Sequence, residues 1–344
     1  MNAIDTAVSA PAYDTDHVDA LDGAVAEIVQ RYGEAAHEPA GRRKLWDALE
    51  QGGFTLLSVP EESGGSGGSL ADAAVVLRRC AYAGVRLPLV STLLGAWSCA
   101  WAGAEIPSGP LAFTWSTARP GEPVRLPWAP FADWLVLLKP SELVVADRSA
   151  GAVRELADGP FTGEPLGESD TLAGLPGMRF RSLPTAEQAL LRGALLRSAE
   201  LHGAAASALD QAAGYAGERE QFGRALHRFQ AVAHLLAQCA GEVVATGVAV
   251  DTAIAVADDV SAPERAEAAA LVAKIQASAT AGRIAAATHQ VHGAIGFTEE
   301  HPLHISTRAL WQWRDDYGDE HHWAARLSGL AERHGRKLWE LLAD

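Results

Sequence analysis

Cysteine is scarce in this chain of 344 residues, which has only Cys80, Cys99 and Cys239. Their odd number and wide spacing exclude the paired spacing of a zinc site and the framework of a disulfide-stapled domain. The first sixteen residues, MNAIDTAVSAPAYDTD, lack a positively charged start followed by an apolar run. We therefore expect no signal peptide and a reducing, cytoplasmic setting.

Basic residues are also few relative to acidic ones. The chain has 28 Lys and Arg residues against 43 Asp and Glu residues, a formal net charge of −15. Such a surface repels phosphate backbones and anionic lipids, which argues against nucleic-acid and membrane partners. A local arginine can still reverse the field at one anion site. Charged residues interrupt the apolar alanine-rich stretches, so no transmembrane span is expected.

Hydrophobic residues make up 48% of the chain, which predicts a packed globular protein. The pattern along the chain divides it into three regions. Residues 1–108 read as an N-terminal helical domain, because apolar residues recur every three or four positions before Gly or Pro stops. Residues 109–183 read as a small β-domain. Its short β-type runs are LAFTW, VRLPW, WLVLLK, ELVVADR and VRELA.

Residues 184–344 are helical again and predict an antiparallel four-helix bundle, because long alanine-rich helices follow one another through short connections. The expected helices are 185–217, 225–258, 263–292 and 301–341. The fold class is thus mainly α with a small central β-domain. Within the first region, GGSGG at 64–68 is either a flexible linker or a tight loop that turns the chain against its own core.

Two stretches of the bundle carry a specific signal. They are YAGEREQFGRALHRFQAVAHLLA at 215–237 and THQVHGAIGFTEEHPLHISTR at 288–308. Both resemble the C-terminal domain of the acyl-CoA dehydrogenase family, where they typically read Arg-x-x-Phe-Gly followed by Phe-Gln, and Gln-x-x-Gly-Gly-x-Gly-Phe. The segment LWDALEQGGFTLLSVPEESGGSGGSL at 45–70 resembles that family's first helical domain. The resemblance implies the family's fold: helical domain, β-domain and helical bundle.

The resemblance also implies a chemistry. Such enzymes bind FAD and an acyl thioester; a carboxylate removes the α-proton while the flavin takes the β-hydride, and the FAD tail reaches a neighbouring subunit. It assigns Arg219 to the FAD pyrophosphate, Phe222 to packing beside it, and Gln290 with the backbone around Gly293 to the same part of the cofactor. An arginine fork can hold two phosphate oxygens. The cofactor-binding candidates are Arg219, Gln221, Phe222, Gln230, Gln290 and Gly293.

Simpler roles compete with these assignments. Arg219 lies between Glu218 and Glu220 and could form a surface ion pair of little energetic value. Gly293 and Gly296 could form a helix C-cap and turn.

The chain departs from the family where the proton is abstracted. The family's usual catalytic glutamate lies about twenty-four residues after the first glycine of the second motif, and this count reaches Tyr317. A phenol with a reference pKa of about 10 is a poor base at neutral pH. A minority of the family carries the base on an early bundle helix, at the position of Gly193. In the β-region, FTWSTARPGEPVRLPW at 113–128 retains at most Thr114 of the flavin-contacting Thr-Glu-Pro and Gly-Ser-Asp segments.

The base and the flavin-contacting segments are missing, whereas the motifs for the FAD tail are kept. This one-sided loss suggests one member of an asymmetric pair of chains. Some acyl-CoA dehydrogenases of actinobacterial type contain two unlike chains, and this sequence resembles the chain without the catalytic glutamate. It would supply contacts to the tail of an FAD shared with a second acyl-CoA dehydrogenase-like chain, which acts on an acyl-CoA or acyl-carrier thioester. Self-association of this chain is the other partner arrangement that stays open. Two alternatives stay open. One is a self-sufficient dehydrogenase with Asp316 as a displaced base, and the other is a redox-silent scaffold.

The stretch WQWRDDYGDEHHW at 311–323 combines four carboxylates, two histidines and three tryptophans. Asp316 and Tyr317 within it are weak catalytic candidates. Asp315, Asp319 and His322 have helical spacing for a metal site, but zinc prefers three or four convergent ligands, mostly His or Cys. A turn surrounded by solvated acids and anchored by tryptophans is the favoured interpretation, and no metal is expected.

Overall fold

The structure is a computed structural model. It describes residues 15–335 apart from 158, 160, 161, 179, 181 and 260, together with residue 340. The signal-peptide expectation therefore concerns residues outside the described part of the chain. Four helices open the fold: α1 (Thr15–Tyr32), α2 (Pro39–Gln51), α3 (Leu70–Tyr82) and α4 (Leu89–Ala102).

The glycine-rich segment at 64–68 is a tight loop and not a flexible linker. Ser58 N–H donates to Gly67 O and Gly67 N–H donates to Val59 O, so the loop closes on the preceding segment. Gly64 and Gly67 have positive φ angles, which glycine adopts without steric cost. The loop delivers the chain to Ser69, which caps α3 through a reciprocal capping box with Asp72.

Six short strands follow: β1 (Leu111–Trp115), β2 (Val124–Pro127), β3 (Trp134–Leu138), β4 (Leu143–Asp147), β5 (Arg154–Glu155) and β6 (Leu166–Ser169). They form two three-stranded sheets, ordered β1-β3-β4 and β2-β6-β5. The β1–β3 pair is parallel and the other pairs are antiparallel. All five predicted runs contain a strand, whereas β6 was not predicted, because GEPLGESD shows neither alternation nor β-branched residues.

Long helices form the last region: α5 (Ala186–Glu218), α6 (Gln230–Val256), α7 (Pro263–His292), α8 (Leu303–Trp313) and α9 (Glu320–His334). A two-stranded hairpin, β7 (Glu220–Gln221) with β8 (Arg224–Ala225), joins α5 to α6. Helices α5, α6 and α7 pack side by side in the bundle. The predicted fold class is confirmed.

Two of the predicted helix ranges are wrong. The expected helix at 301–341 is two helices, because Tyr317 and Gly318 both have positive φ and end the helical path before α9. Asp319 then starts α9, since its side chain accepts a hydrogen bond from His322 N–H. The expected helix at 225–258 begins later, at Gln230, after the hairpin.

One buried apolar cluster contains side chains from α1 to α7 and from β1, β3 and β4. The three predicted sequence regions therefore share a core, and their boundaries remain predictions. The three cysteines are free and buried within the helices. By length and composition alone one described helix, α6, could cross a membrane. In this fold it packs against α5 and α7, as core helices that pass the same test do.

Candidate functional site

The two positions that the resemblance assigns to the catalytic base face each other. A Cβ atom added to Gly193 on α5 would lie 2.5 Å from Cδ1 and 2.6 Å from Cε1 of Tyr317. The Tyr317 ring also packs 6.2 Å, centroid to centroid, from the ring of Trp115 on β1. The phenol ring therefore occupies the space in front of α5, and only a glycine at position 193 accommodates it.

The turn between α8 and α9 holds Tyr317 in this place. Tyr317 has φ +58°, a conformation unusual for an aromatic residue, and Gly318 has φ +95°. Trp323 Nε1 donates to the carbonyl oxygens of both residues, at 3.0 and 3.1 Å. On the other side, the buried Lys274 ammonium donates to the carbonyl oxygens of Trp313 and Arg314, which end α8. The strained turn is thus fixed from α7 and α9.

A buried arginine lies beside the tyrosine. Arg197 forms ion pairs with Glu200 on its own helix and with Asp316, the latter at 3.2 Å between Nη2 and Oδ2. Its guanidinium carbon lies 5.7 Å from the Tyr317 ring centroid and 5.0 Å from that of Trp313. Asp316 is therefore paired with a cation, and its side chain is only 30% exposed.

A further carboxylate approaches from the β-region. Glu164 is buried, and its Oε1 accepts a hydrogen bond of 2.8 Å from Trp313 Nε1. Its Oε2 accepts a weaker one from Gln312 Nε2 at 3.4 Å. Gln312 also accepts hydrogen bonds from Thr162 through its Oε1. Helix α8 is therefore tied to the loop that precedes β6.

Burial dominates the electrostatics of this cluster. It raises the pKa of Glu200 to about 7, and it also raises the pKa of Glu164 and Asp316, although Arg197 opposes all three shifts. Burial lowers the pKa of Lys274 to about 7, with Asp316 opposing. The pKa of Tyr317 rises well above 10, again mainly through burial. A phenol in this state is a still poorer base than a free one.

Sequence reasoning missed Arg197, Glu200, Glu164 and Lys274, because charge ordinarily predicts exposure. A signal was nevertheless present. In ALLRSAEL the pair Arg197 and Glu200 lies at i,i+3 on a face that is otherwise apolar, and Lys274 interrupts the apolar run AALVAKI.

The other acids of the 311–323 stretch have structural roles. Asp319 caps α9, and Asp315 pairs with the neighbouring Arg314 at 3.3 Å. Within the residues that the structure describes, no group of three or more His, Cys, Asp or Glu side chains is placed to hold a metal ion.

A second set of candidate residues lies at the far end of α5. Tyr215, in the last turn of α5, stacks on His292, the last residue of α7, with ring centroids 4.6 Å apart. This contact brings the two sequence motifs to one end of the bundle, where α6 also begins. Gly193 and Glu218 are 25 residues apart on one helix, so the two sites are about 38 Å apart.

The side chain of Arg219 at this end is exposed. It makes no ion pair with any residue in the described part of the chain, so the simple pairing with Glu218 or Glu220 is not formed. Gly293, by contrast, does cap a helix: it follows α7 with φ +65°, and its N–H donates to His289 O. A capping role and a cofactor contact are compatible, because the glycine is exposed and a Cβ there would meet no atom within 4 Å.

Phe222 is the most unusual residue of this end. It forms the two-residue turn of the β7–β8 hairpin with Gly223, and both have positive φ, +53° and +77°. Hairpin turns of this kind favour Asn, Asp or Gly at the first position. The side chain is 92% exposed, with Phe229 as its aromatic neighbour at 6.2 Å. A strained, exposed aromatic side chain is the signature of a contact surface.

The remaining candidates, Gln221, Gln230 and Gln290, are also exposed. Phe297, at the end of the second motif, is 75% exposed and stacks on His289 with ring centroids 4.4 Å apart. An unpaired arginine, amide side chains and uncovered rings suit the pyrophosphate and adenosine of FAD in chemical type. None of the described residues of this chain covers the face that these exposed side chains form.

Comparison with known proteins identifies the family. The profile "Acyl-CoA dehydrogenase, N-terminal domain" matches residues 17–105, and "Acyl-CoA dehydrogenase, C-terminal domain" matches residues 183–311. The acyl-CoA dehydrogenase IpdE2 of Mycolicibacterium smegmatis is 32% identical over 298 residues, 86% of each chain. The chain belongs to the acyl-CoA dehydrogenase family. Its IpdE2 relative in Mycobacterium tuberculosis is 33% identical over 270 residues, 76% of this chain and 78% of that one.

Solved structures of the family share the fold. A structure titled "Tcur3481-Tcur3483 steroid ACAD G363A variant" superposes with a TM-score of 0.80 at 25% identity, covering 93% of this chain and 99% of that chain. The ChsE4–ChsE5 complex from Mycobacterium tuberculosis gives a TM-score of 0.70 at 21% identity, covering 94% and 97%. Each of these two structures is named for two proteins, so family relatives of this shape occur in complexes of unlike chains.

Proposed function

We propose that this chain is the non-catalytic partner in a heteromeric, FAD-dependent acyl-CoA dehydrogenase. A second acyl-CoA dehydrogenase-like chain would supply the carboxylate that removes the α-proton of the acyl thioester, and FAD, when bound between the chains, would supply the acceptor for the β-hydride. This chain contributes Arg219, Phe222 and Gln290 to the tail of that shared cofactor, with Gln221, Gln230 and Gly293 beside them.

One observation carries the proposal: Tyr317 packs directly against Gly193. Neither position that the family uses for its base has a carboxylate, and the two residues fill each other's space. The exposed tail-binding candidates lie about 38 Å away along α5, at the opposite end of this helix from positions 193 and 317. These residues therefore serve a flavin held at a different chain's proton-abstraction site.

The self-sufficient alternative needs Asp316 as the base. Asp316 Oδ2 lies 3.2 Å from Arg197 Nη2, so this carboxylate is already engaged in an ion pair, although burial raises the pKa of Asp316 and Arg197 only opposes that rise. Substitution of Asp316→Asn distinguishes the partner-chain proposal from the self-sufficient alternative. We expect turnover of the reconstituted heteromer to stay within about threefold of wild type, because a residue outside the reacting centre gives no transition-state loss. Abolished turnover would favour Asp316 as the base.

The direct test is reconstitution with an acyl-CoA dehydrogenase-like chain that carries the glutamate. We expect the isolated chain to be colourless and inactive, and the purified complex to retain FAD and oxidise an acyl thioester. Arg219→Gln should weaken FAD retention by about 10- to 100-fold, the range of a charge-assisted phosphate contact. Arg333→Gln is the matched control, because Arg333 is exposed on α9 and makes no ion pair with the described residues.

A yellow, stoichiometrically flavinylated and active isolated chain would refute the proposal. A complex that forms but never binds flavin would favour the redox-silent scaffold instead.

A further inference from the structure

A partly enclosed cavity of about 190 Å³ lies outside the two bundle motifs at 215–237 and 288–308. It forms where the α1–α2 connection, the α3–α4 turn and the loop before β6 meet. Its wall is mainly polar and includes the side chains of His37, Arg42 and Arg86. The rest of the wall comes from small or short residues: Gly33, Ala36, Gly84, Val85, Thr162 and Gly163. The volume suits a small polyatomic ion with some water, and is too small for a nucleotide.

Arg86 is held rigidly in this wall. Its Nη1 donates to Thr162 O, and its Nη2 donates to Ile305 O at 2.7 Å, so two separate segments fix the guanidinium plane. Its Nε is buried and has no hydrogen-bond partner among the residues that the structure describes. A buried donor without a partner is costly, and it is satisfied when a ligand or water accepts its hydrogen bond.

Positive charge concentrates around this donor. Arg42 and Arg308 lie close enough to Arg86 that their like charges lower its pKa, in addition to the larger effect of burial. Glu164 is the acid that opposes this shift, and Trp313 and Arg197 already engage it. The Arg42 guanidinium carbon also lies 5.4 Å from the Trp128 ring centroid. Two arginines in the cavity wall, with Arg308 acting on Arg86 from nearby, locally reverse the charge of a chain whose net charge is −15.

We propose that this cavity is a binding site for a small oxyanion, a phosphate or a carboxylate group. The fork of a guanidinium matches the oxygens of both, and such charge-assisted bonds are strong where water is excluded. The anion accepts from Arg86 Nε and is flanked by Arg42 and His37.

The bound anion also has a structural consequence. The loop that accepts from Arg86 through Thr162 O continues to Glu164, which lies against Trp313 on α8. Filling the cavity therefore fixes the loop that carries Glu164 towards Trp313 and Arg197. The anion is expected to stabilise the folded chain.

The test uses the full chain, titrated with inorganic phosphate and, separately, with acetate, at constant ionic strength balanced by chloride. Isothermal titration calorimetry and thermal unfolding are the readouts. We expect one saturable site per chain and a rise in Tm with at least one of the two anions. Saturation by phosphate alone identifies a phosphate site, and saturation by acetate identifies a carboxylate site.

Three variants locate the site. Arg86→Gln should weaken binding more than about tenfold, the range for a hydrogen bond to a charged group. Arg308→Gln should weaken it about two- to fivefold, as expected between partly exposed charges. Lys44→Gln removes the same charge from an exposed position on α2 and should leave affinity unchanged. If Arg86→Gln does not fold, the two exposed positions still decide, because Arg308 and Lys44 carry no packed side chain. The proposal is overturned if neither anion binds saturably. It is also overturned if Arg308→Gln and Lys44→Gln weaken binding equally.

Discussion

The contact between Gly193 and Tyr317 predicts an inverted effect of a common stabilising substitution. In an exposed helix interior, Gly→Ala stabilises a protein by about 1 kcal/mol, because glycine loses more backbone entropy on folding. At position 193 the new Cβ would lie 2.5 Å from the Tyr317 ring, closer than any real contact. Overpacking of this kind costs about 1–3 kcal/mol. We therefore expect Gly193→Ala to lower the free energy of unfolding by up to about 2 kcal/mol.

A matched control lies on the same helix. A Cβ added to Gly214 meets no atom within 4 Å, so Gly214→Ala should stabilise by about 1 kcal/mol. The decisive measurement is a double-mutant cycle. In a Tyr317→Ala background the clash is gone, and Gly193→Ala should then stabilise as Gly214→Ala does. The coupling energy between positions 193 and 317 is expected to be about 1–3 kcal/mol.

Urea unfolding followed by tryptophan fluorescence and circular dichroism gives these differences, provided that the m-value is unchanged between variants. If Gly193→Ala stabilises the wild-type chain as much as Gly214→Ala, the ring is not packed against α5. The proposal that Tyr317 fills this space would then fail with it.

Two further predictions concern the other parts of the molecule. Phe222→Asn should leave the isolated chain equally stable or more stable by up to about 1 kcal/mol, because Asn tolerates positive φ at a hairpin turn. The same substitution should weaken FAD retention in the heteromer. If stability and FAD retention both fall, Phe222 has a structural role only. Glu200→Gln should change the pH dependence of stability. The folded pKa of Glu200 is about 7 against an ordinary 4.5, so the folded state binds more protons between these values and the Glu200 contribution falls as pH rises through that window. Wild type should therefore lose up to about 3 kcal/mol relative to Glu200→Gln from about pH 4.5 to 7, and a flat difference in urea unfolding would contradict the burial argument.

Much of the bundle could be read from sequence because its ends carry local chemistry. Thr185 caps α5 through a capping box with Gln188, and Pro263 starts α7 at its first position. The break at Tyr317 was harder, because apolar residues keep a helical period on both sides of it. Only Gly318 and Asp319 mark the end of α8, so the sequence predicts a turn within 311–323 but not the separate helix α9 that follows it.

The buried charges could not be read in the same way. Whether Arg197 lies on a solvated or a buried face of α5 depends on what packs there, and three distant segments do so. Glu164 comes from the β-region, Asp316 from the α8–α9 turn, and Lys274 from α7. Their convergence is a property of the tertiary fold, so no local pattern encodes it.

The hairpin turn supplies an argument about which assembly is the working unit. A residue with φ near +53° and a bulky side chain stores strain, of order 1 kcal/mol or more, that the isolated chain has no evident way to recover, since Phe222 is almost fully exposed. Nearby Phe297 is exposed in the same way. Burying two such rings gives back about 1.5–3 kcal/mol each, which exceeds the strain. Cover by another molecule would therefore recover more free energy than the strained turn costs, and the proposed heteromer with a shared FAD would supply that cover.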